Sequence, residues 1–125
     1  MALSLTLLPF EADTERISFS QTLLRCQDDR ELFEAVLEIE AKHGQPVPAD
    51  FHTYFHQADL DAPSTYGPVN ETPYGDPLLY VRVRDLLALE GHPRLTGQDA
   101  YRENRAAWAY LGELRRDTKV ALYWN

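Results

Sequence analysis

KVALYWN, residues 119–125, is the stretch whose reading decides the fold. Val120, Leu122 and Trp124 alternate with Ala121 and Tyr123, so both sides of an extended chain are apolar, the pattern of a strand covered on both faces. A strand of that kind needs partners beside it and layers above and below it. Loss of these residues is expected to cost core. If the strand instead lies at an open sheet edge, it offers a route to a homodimer by pairing with its twin.

The partners are legible upstream. LSLTLL (3–8) and ISFSQTLL (17–24) read as strands, the second with Ile17, Phe19 and Leu23 on one side and Ser18, Ser20 and Thr22 on the other. The polar PFEADTER between them, with Pro9, Asp13 and Thr14, suits a hairpin connection. PLLYVRVR (77–84) is rich in β-branched and aromatic residues and predicts a further strand.

Two segments carry helical periodicity instead. Over 28–43, Leu32, Val36 and Ile39 recur at helical spacing beside Phe33 and Leu37; Asp28 reads as the cap, Glu31 as its capping-box answer and Gly44 as a left-handed stop. Glu31, Glu34, Glu38 and Glu40 form its outer side, with Lys42 four residues after Glu38. The second helix is expected from Thr96 to about Arg116, with Ala100, Asn104, Ala107, Trp108, Leu111 and Leu114 inward and Gly112 weakening its last turns. Short helical turns are predicted over FHTYFHQ (51–57), where Asp50 caps and Phe51 and Phe55 anchor, and over DLLALE, capped by Asp85 and ended by Gly91 and Pro93.

Strands that come partly as a hairpin, with helices collected elsewhere, give an α+β two-layer sandwich: one domain with a mainly antiparallel sheet of about four strands. At 125 residues the chain can bury roughly two-thirds of its unfolded surface without disulfide or metal. A lone cysteine, Cys26, and an apolar opening with no basic residue before it favour the cytoplasm. No apolar run is long enough to span a bilayer, so no membrane association is expected.

Net charge is −8, and residues 1–61 hold 12 Asp/Glu against 4 Lys/Arg while residues 62–125 hold 8 of each. Such a surface repels nucleic-acid backbones; its simplest use is solubility, and its sharper one is attraction of a basic protein. No Walker, G-x-G-x-x-G or G-x-S-x-G pattern occurs, and no cofactor is implied. Asn70-Glu71-Thr72 matches a glycosylation acceptor, which matters only in a secreted chain.

Two regions remain as functional candidates. His52 and His56 stand at the spacing that puts two imidazoles on one side of a helix; with Asp50, Asp59 or Asp61 they would hold a divalent metal and make the chain a hydrolase. The motif lacks the glutamate of zinc peptidases, and two surface histidines explain it more simply. The second region is the Pro-, Gly- and Tyr-rich stretch 57–77, too long for an ordinary connection. Its prolines and its two turn units, Tyr66-Gly67-Pro68 and Tyr74-Gly75-Asp76-Pro77, predict a preorganised loop that either offers Tyr66, Asn70, Glu71, Tyr74 and Asp76 for binding or packs its tyrosines on its own fold as a lid. The reading favoured by these residues is a small acidic binding protein, not an enzyme, that engages a basic protein partner as an immunity protein or antitoxin does; an oligomerising structural module is the third alternative.

Overall fold

The computed structural model of the chain describes residues 4–10, 19–20, 22–53 and 71–125, the pairs 19–20 and 52–53 as backbone. In chain order the elements are β1 (Leu5–Phe10), β2 (Phe19–Ser20), β3 (Leu24–Cys26), α1 (Arg30–His43), β4 (Gln45–Pro46), β5 (His52–Thr53), β6 (Leu79–Arg82), α2 (Val83–Leu87), α3 (Pro93–Thr96), α4 (Arg102–Gly112) and β7 (Lys119–Trp124). Five strands form one antiparallel sheet in the order β3-β1-β7-β6-β4, and β2 and β5 pair separately in parallel. With helices gathered against this sheet, the α+β sandwich is the observed architecture, one strand larger than expected.

β7 occupies the centre. Leu5↔Trp124 on one side and Leu79↔Leu122 on the other leave neither of its edges open. The homodimer expected through an exposed β7 edge is therefore corrected: a strand whose ladder is filled on both sides has no backbone groups to offer a twin. The both-sides pattern is borne out, since every residue from Val120 to Trp124 is buried.

Alternation along the strands divides the core in two. Leu5, Leu7, Val81, Val120, Leu122 and Trp124 face the helices, against Leu32, Phe33 and Val36 of α1, Leu86 of α2 and Trp108 and Leu111 of α4. Leu8, Phe10, Ala121 and Tyr123 point the other way and pack with Val47, Phe51 and Leu78. Phe51 is fully buried and meets Phe10 edge-on at 4.7 Å, as its expected anchoring role requires.

Tertiary contacts move several element boundaries. The cap of α1 is Asp29, not Asp28: its Oδ1 accepts from the Leu32 N–H while Oδ2 accepts from Arg94 Nε at 2.7 Å. Arg94 lies 5.7 Å from the Tyr101 ring, so a carboxylate, a guanidinium and an aromatic ring stand together at this helix start. Gly44 is extended rather than left-handed; a Cβ there would lie 2.5 Å from the Glu40 carbonyl oxygen, so close approach is what demands glycine. The i,i+4 ion pair found on α1 is Arg30–Glu34, not Glu38–Lys42.

The helix expected from Thr96 to about Arg116 is shorter at both ends, α4 alone, Arg102–Gly112. Thr96 closes α3, and Arg105 of α4 reaches back to the carbonyls of Leu95 and Gly97 at 3.1 and 2.6 Å, satisfying backbone that a continuous helix would have used. Asp85 is not the cap of α2 but its third residue, accepting from the Arg82 N–H at 2.9 Å. Buried Asn104 accepts from the Gln27 N–H and donates to the Gln27 carbonyl, which ties the β3–α1 connection to α4. His52 and Thr53 are extended, in place of the helical turn predicted from residue 51. Among the described residues no helix is long and apolar enough to cross a membrane.

Candidate functional site

Residues 71–77 form a constrained turn. Glu71 bridges Pro77, the Thr72 N–H donates to the Asp76 carbonyl at 2.8 Å, and the Gly75 N–H donates to the Thr72 carbonyl at 2.9 Å. Thr72 Oγ1 also accepts from the Tyr74 N–H at 3.3 Å. Pro73-Tyr74-Gly75 is thus a three-residue hairpin connection, and Gly75 at φ +83° fills the left-handed place that such connections reserve for glycine. The consequence is a stiff loop with Tyr74, 47 % exposed, at its tip.

Beneath that turn is a pocket of about 320 Å³, at the small end of the roughly 300–1,000 Å³ typical of ligand sites. α1 contributes Leu37 and Glu40, three apart and hence on one side of the helix. The sheet contributes Leu79 and Trp124; because Leu79 pairs with Leu122, Trp124 is the next residue of β7 on the same face. The turn supplies Tyr74, Asp76 and Pro77. The lining is chiefly apolar, with two carboxylates set into it.

Glu40 is the electrostatic centre of this pocket. Its Oε2 accepts from the Trp124 indole N–H at 2.6 Å, and the indole meets Phe33 edge-on at 5.5 Å. Burial pushes the Glu40 carboxyl above its ordinary value; the indole hydrogen bond pulls it back, and the charge of Asp76 raises it again. Among the described residues neither Glu40 nor Asp76 has an ion-pair partner. An apolar, partly aromatic cavity with two uncompensated carboxylates favours binding of a cation that carries an apolar stem.

Of the residues expected from sequence, Tyr74 and Asp76 meet in this pocket, while Glu71 stands at the base of the turn and does not line it. Tyr66, Asn70 and His56 lie outside the described residues, as does the side chain of His52, so the metal pair is not placed. Among the described residues no group of three or more His, Cys, Asp or Glu is arranged to hold a metal. Burial raises the Cys26 thiol to about 12, which keeps it protonated and agrees with a structural role.

Leu37, Glu40, Leu79 and Trp124 escape sequence reasoning as site residues. The available signal is Leu37, an apolar residue beside the helical stripe that the fold leaves 41 % exposed. No family model, no curated protein and no solved structure matches the chain.

Proposed function

We propose that this chain is a small acidic binding protein, acting in the cytoplasm, that engages a basic protein partner and neutralises or inhibits it. The observation that carries the reading is Tyr74, held on a glycine-closed turn at the rim of a pocket bearing Glu40 and Asp76. Stiff aromatic side chains give large contact area at small entropic cost, and the prolines of the turn have already removed backbone freedom.

Charge placement supports the same reading. Glu31, Glu34 and Glu38 are exposed on α1, the helix that supplies one wall of the pocket. The opposite ends of β6 and β7 carry Arg82 and Lys119, with Arg84, Arg115 and Arg116 nearby in the adjoining segments. A molecule polarised in this way is turned by the field of a basic partner so that its acidic end arrives first.

The test is affinity capture from cells that express the chain, run beside a Tyr74→Ala, Asp76→Asn double variant, followed by association kinetics with the recovered protein. The expected partner is positively charged, is lost with the double variant, and associates much more slowly at about 0.5 M than at about 0.05 M salt, because added ions shorten the reach of exposed charge. An acidic partner, or association indifferent to salt, overturns the proposal.

A further inference from the structure

We infer that the pocket under Tyr74 is a socket for a single arginine side chain of the partner protein, an inference that rests on the proposed function and specifies which residue enters and where. At the start of α1, Asp29 holds the guanidinium of Arg94 at 2.7 Å with Tyr101 alongside at 5.7 Å. The pocket repeats two of those three parts. It has carboxylates in Glu40 and Asp76 and aromatic rings in Tyr74 and Trp124, and no cation of this chain's described residues pairs with either acid.

The remaining walls fit the rest of an arginine. Leu37, Pro77 and Leu79 give apolar surface for its methylene stem. Glu40 commits one oxygen, Oε2, to the Trp124 indole, which leaves Oε1 to accept from an incoming donor. Asp76 adds to the unfavourable charge at Glu40, and a cation entering between them relieves that repulsion. Arginine suits this place better than lysine because its planar, forked guanidinium can donate to two carboxylates at once and lie against an aromatic wall. A bare divalent ion would gain nothing from the apolar lining and would want more oxygen ligands than two carboxylates supply.

The probe is Nα-acetyl-arginine N-methylamide, titrated into the intact protein while the Trp124 indole and the backbone amides of 71–77 are followed by NMR. Saturable shifts at those positions are expected. The neutral isostere acetyl-citrulline methylamide should produce none, and the lysine derivative should bind more weakly. Glu40→Gln and Asp76→Asn should each raise Kd by about threefold to fivefold, the range of a partly exposed ion pair. Asp76 is exposed on the turn, so its variant tests the site even if Glu40→Gln disturbs the indole contact.

Free arginine brings a carboxylate toward Glu40 and Asp76 and should bind less well than the capped form; the reverse order would mark a free amino-acid site and overturn the inference. Equal binding of the citrulline or acetyl-leucine derivative would reveal an apolar groove without cation selectivity, also overturning it. A parallel titration with an arginine-rich peptide separates the two levels. If the peptide shifts only the outer residues Glu31, Glu34 and Glu38 while capped arginine leaves Trp124 unmoved, the socket fails and the acidic-binding reading stands. If the peptide does not bind at all, both fail.

Discussion

Replacing Trp124 with phenylalanine isolates the contact on which the pocket is built. The smaller ring keeps an aromatic group against Phe33 but removes the indole N–H that donates to Glu40 at 2.6 Å. A hydrogen bond to a charged group contributes about 1.5–3 kcal/mol, so at neutral pH the variant should unfold about 2 kcal/mol more easily, plus a smaller loss from the void beside Phe33. In a Glu40→Gln background the same substitution removes only a neutral bond and should cost about 1 kcal/mol.

The pH dependence has a defined sign. The Glu40 carboxyl already lies above its ordinary value of 4.5 in the fold, burial being the main cause, so this residue stabilises the fold in acid and that contribution is lost as pH rises through its folded value. Removing the indole donor pushes the carboxyl higher still. The deficit of Trp124→Phe should therefore be full at neutral pH and shrink as pH falls through the window just above the ordinary glutamate value, where Glu40 takes up a proton. Urea denaturation of the four proteins of the cycle, at pH 7 and again in that window, measures this directly. Equal cost in both backgrounds, or a deficit that grows in acid, would refute the argument.

Three further substitutions probe other parts of the fold. Phe51→Ala empties a fully buried site beside Phe10 and should cost about 3–5 kcal/mol by urea denaturation. Gly44→Ala forces a Cβ against the Glu40 carbonyl oxygen and to within 3.1 Å of Leu79, so it should destabilise by about 1–3 kcal/mol and perturb the Trp124 indole resonance; the mild stabilisation usual for glycine to alanine would show that the close approach does not matter. Asn104→Ala cuts both hydrogen bonds to Gln27 and should cost about 1–3 kcal/mol, with faster amide exchange at Gln27 as the local signature.

Sequence by itself determined what depends on neighbours along the chain. The alternation in KVALYWN announced a strand buried on both faces, the spacing of Leu32, Val36 and Ile39 announced α1, and Tyr74-Gly75-Asp76-Pro77 announced a turn. Local periodicity and local backbone sterics suffice for each of these. They do not suffice where two local solutions are nearly equal. Asp28 and Asp29 are equally good caps, and what distinguishes Asp29 is its ion pair with Arg94, 65 residues away. Thr96 to Arg116 holds enough helix-forming residues for one helix, but Arg105 satisfies the carbonyls of Leu95 and Gly97 and so supports a start delayed to Arg102.

Tertiary structure alone decided the strand order and the pocket. In the pattern of α1, Glu40 reads as one more solvated acid, because helical periodicity orients a residue only relative to its own helix. The antiparallel pairing of β7 with β6 brings Trp124 beside it, 84 residues further along, and the 71–77 turn closes over both. A half-buried carboxylate bonded to an indole and faced by a second acid is a property of that convergence, and no stretch of the chain contains enough of it to be read in advance.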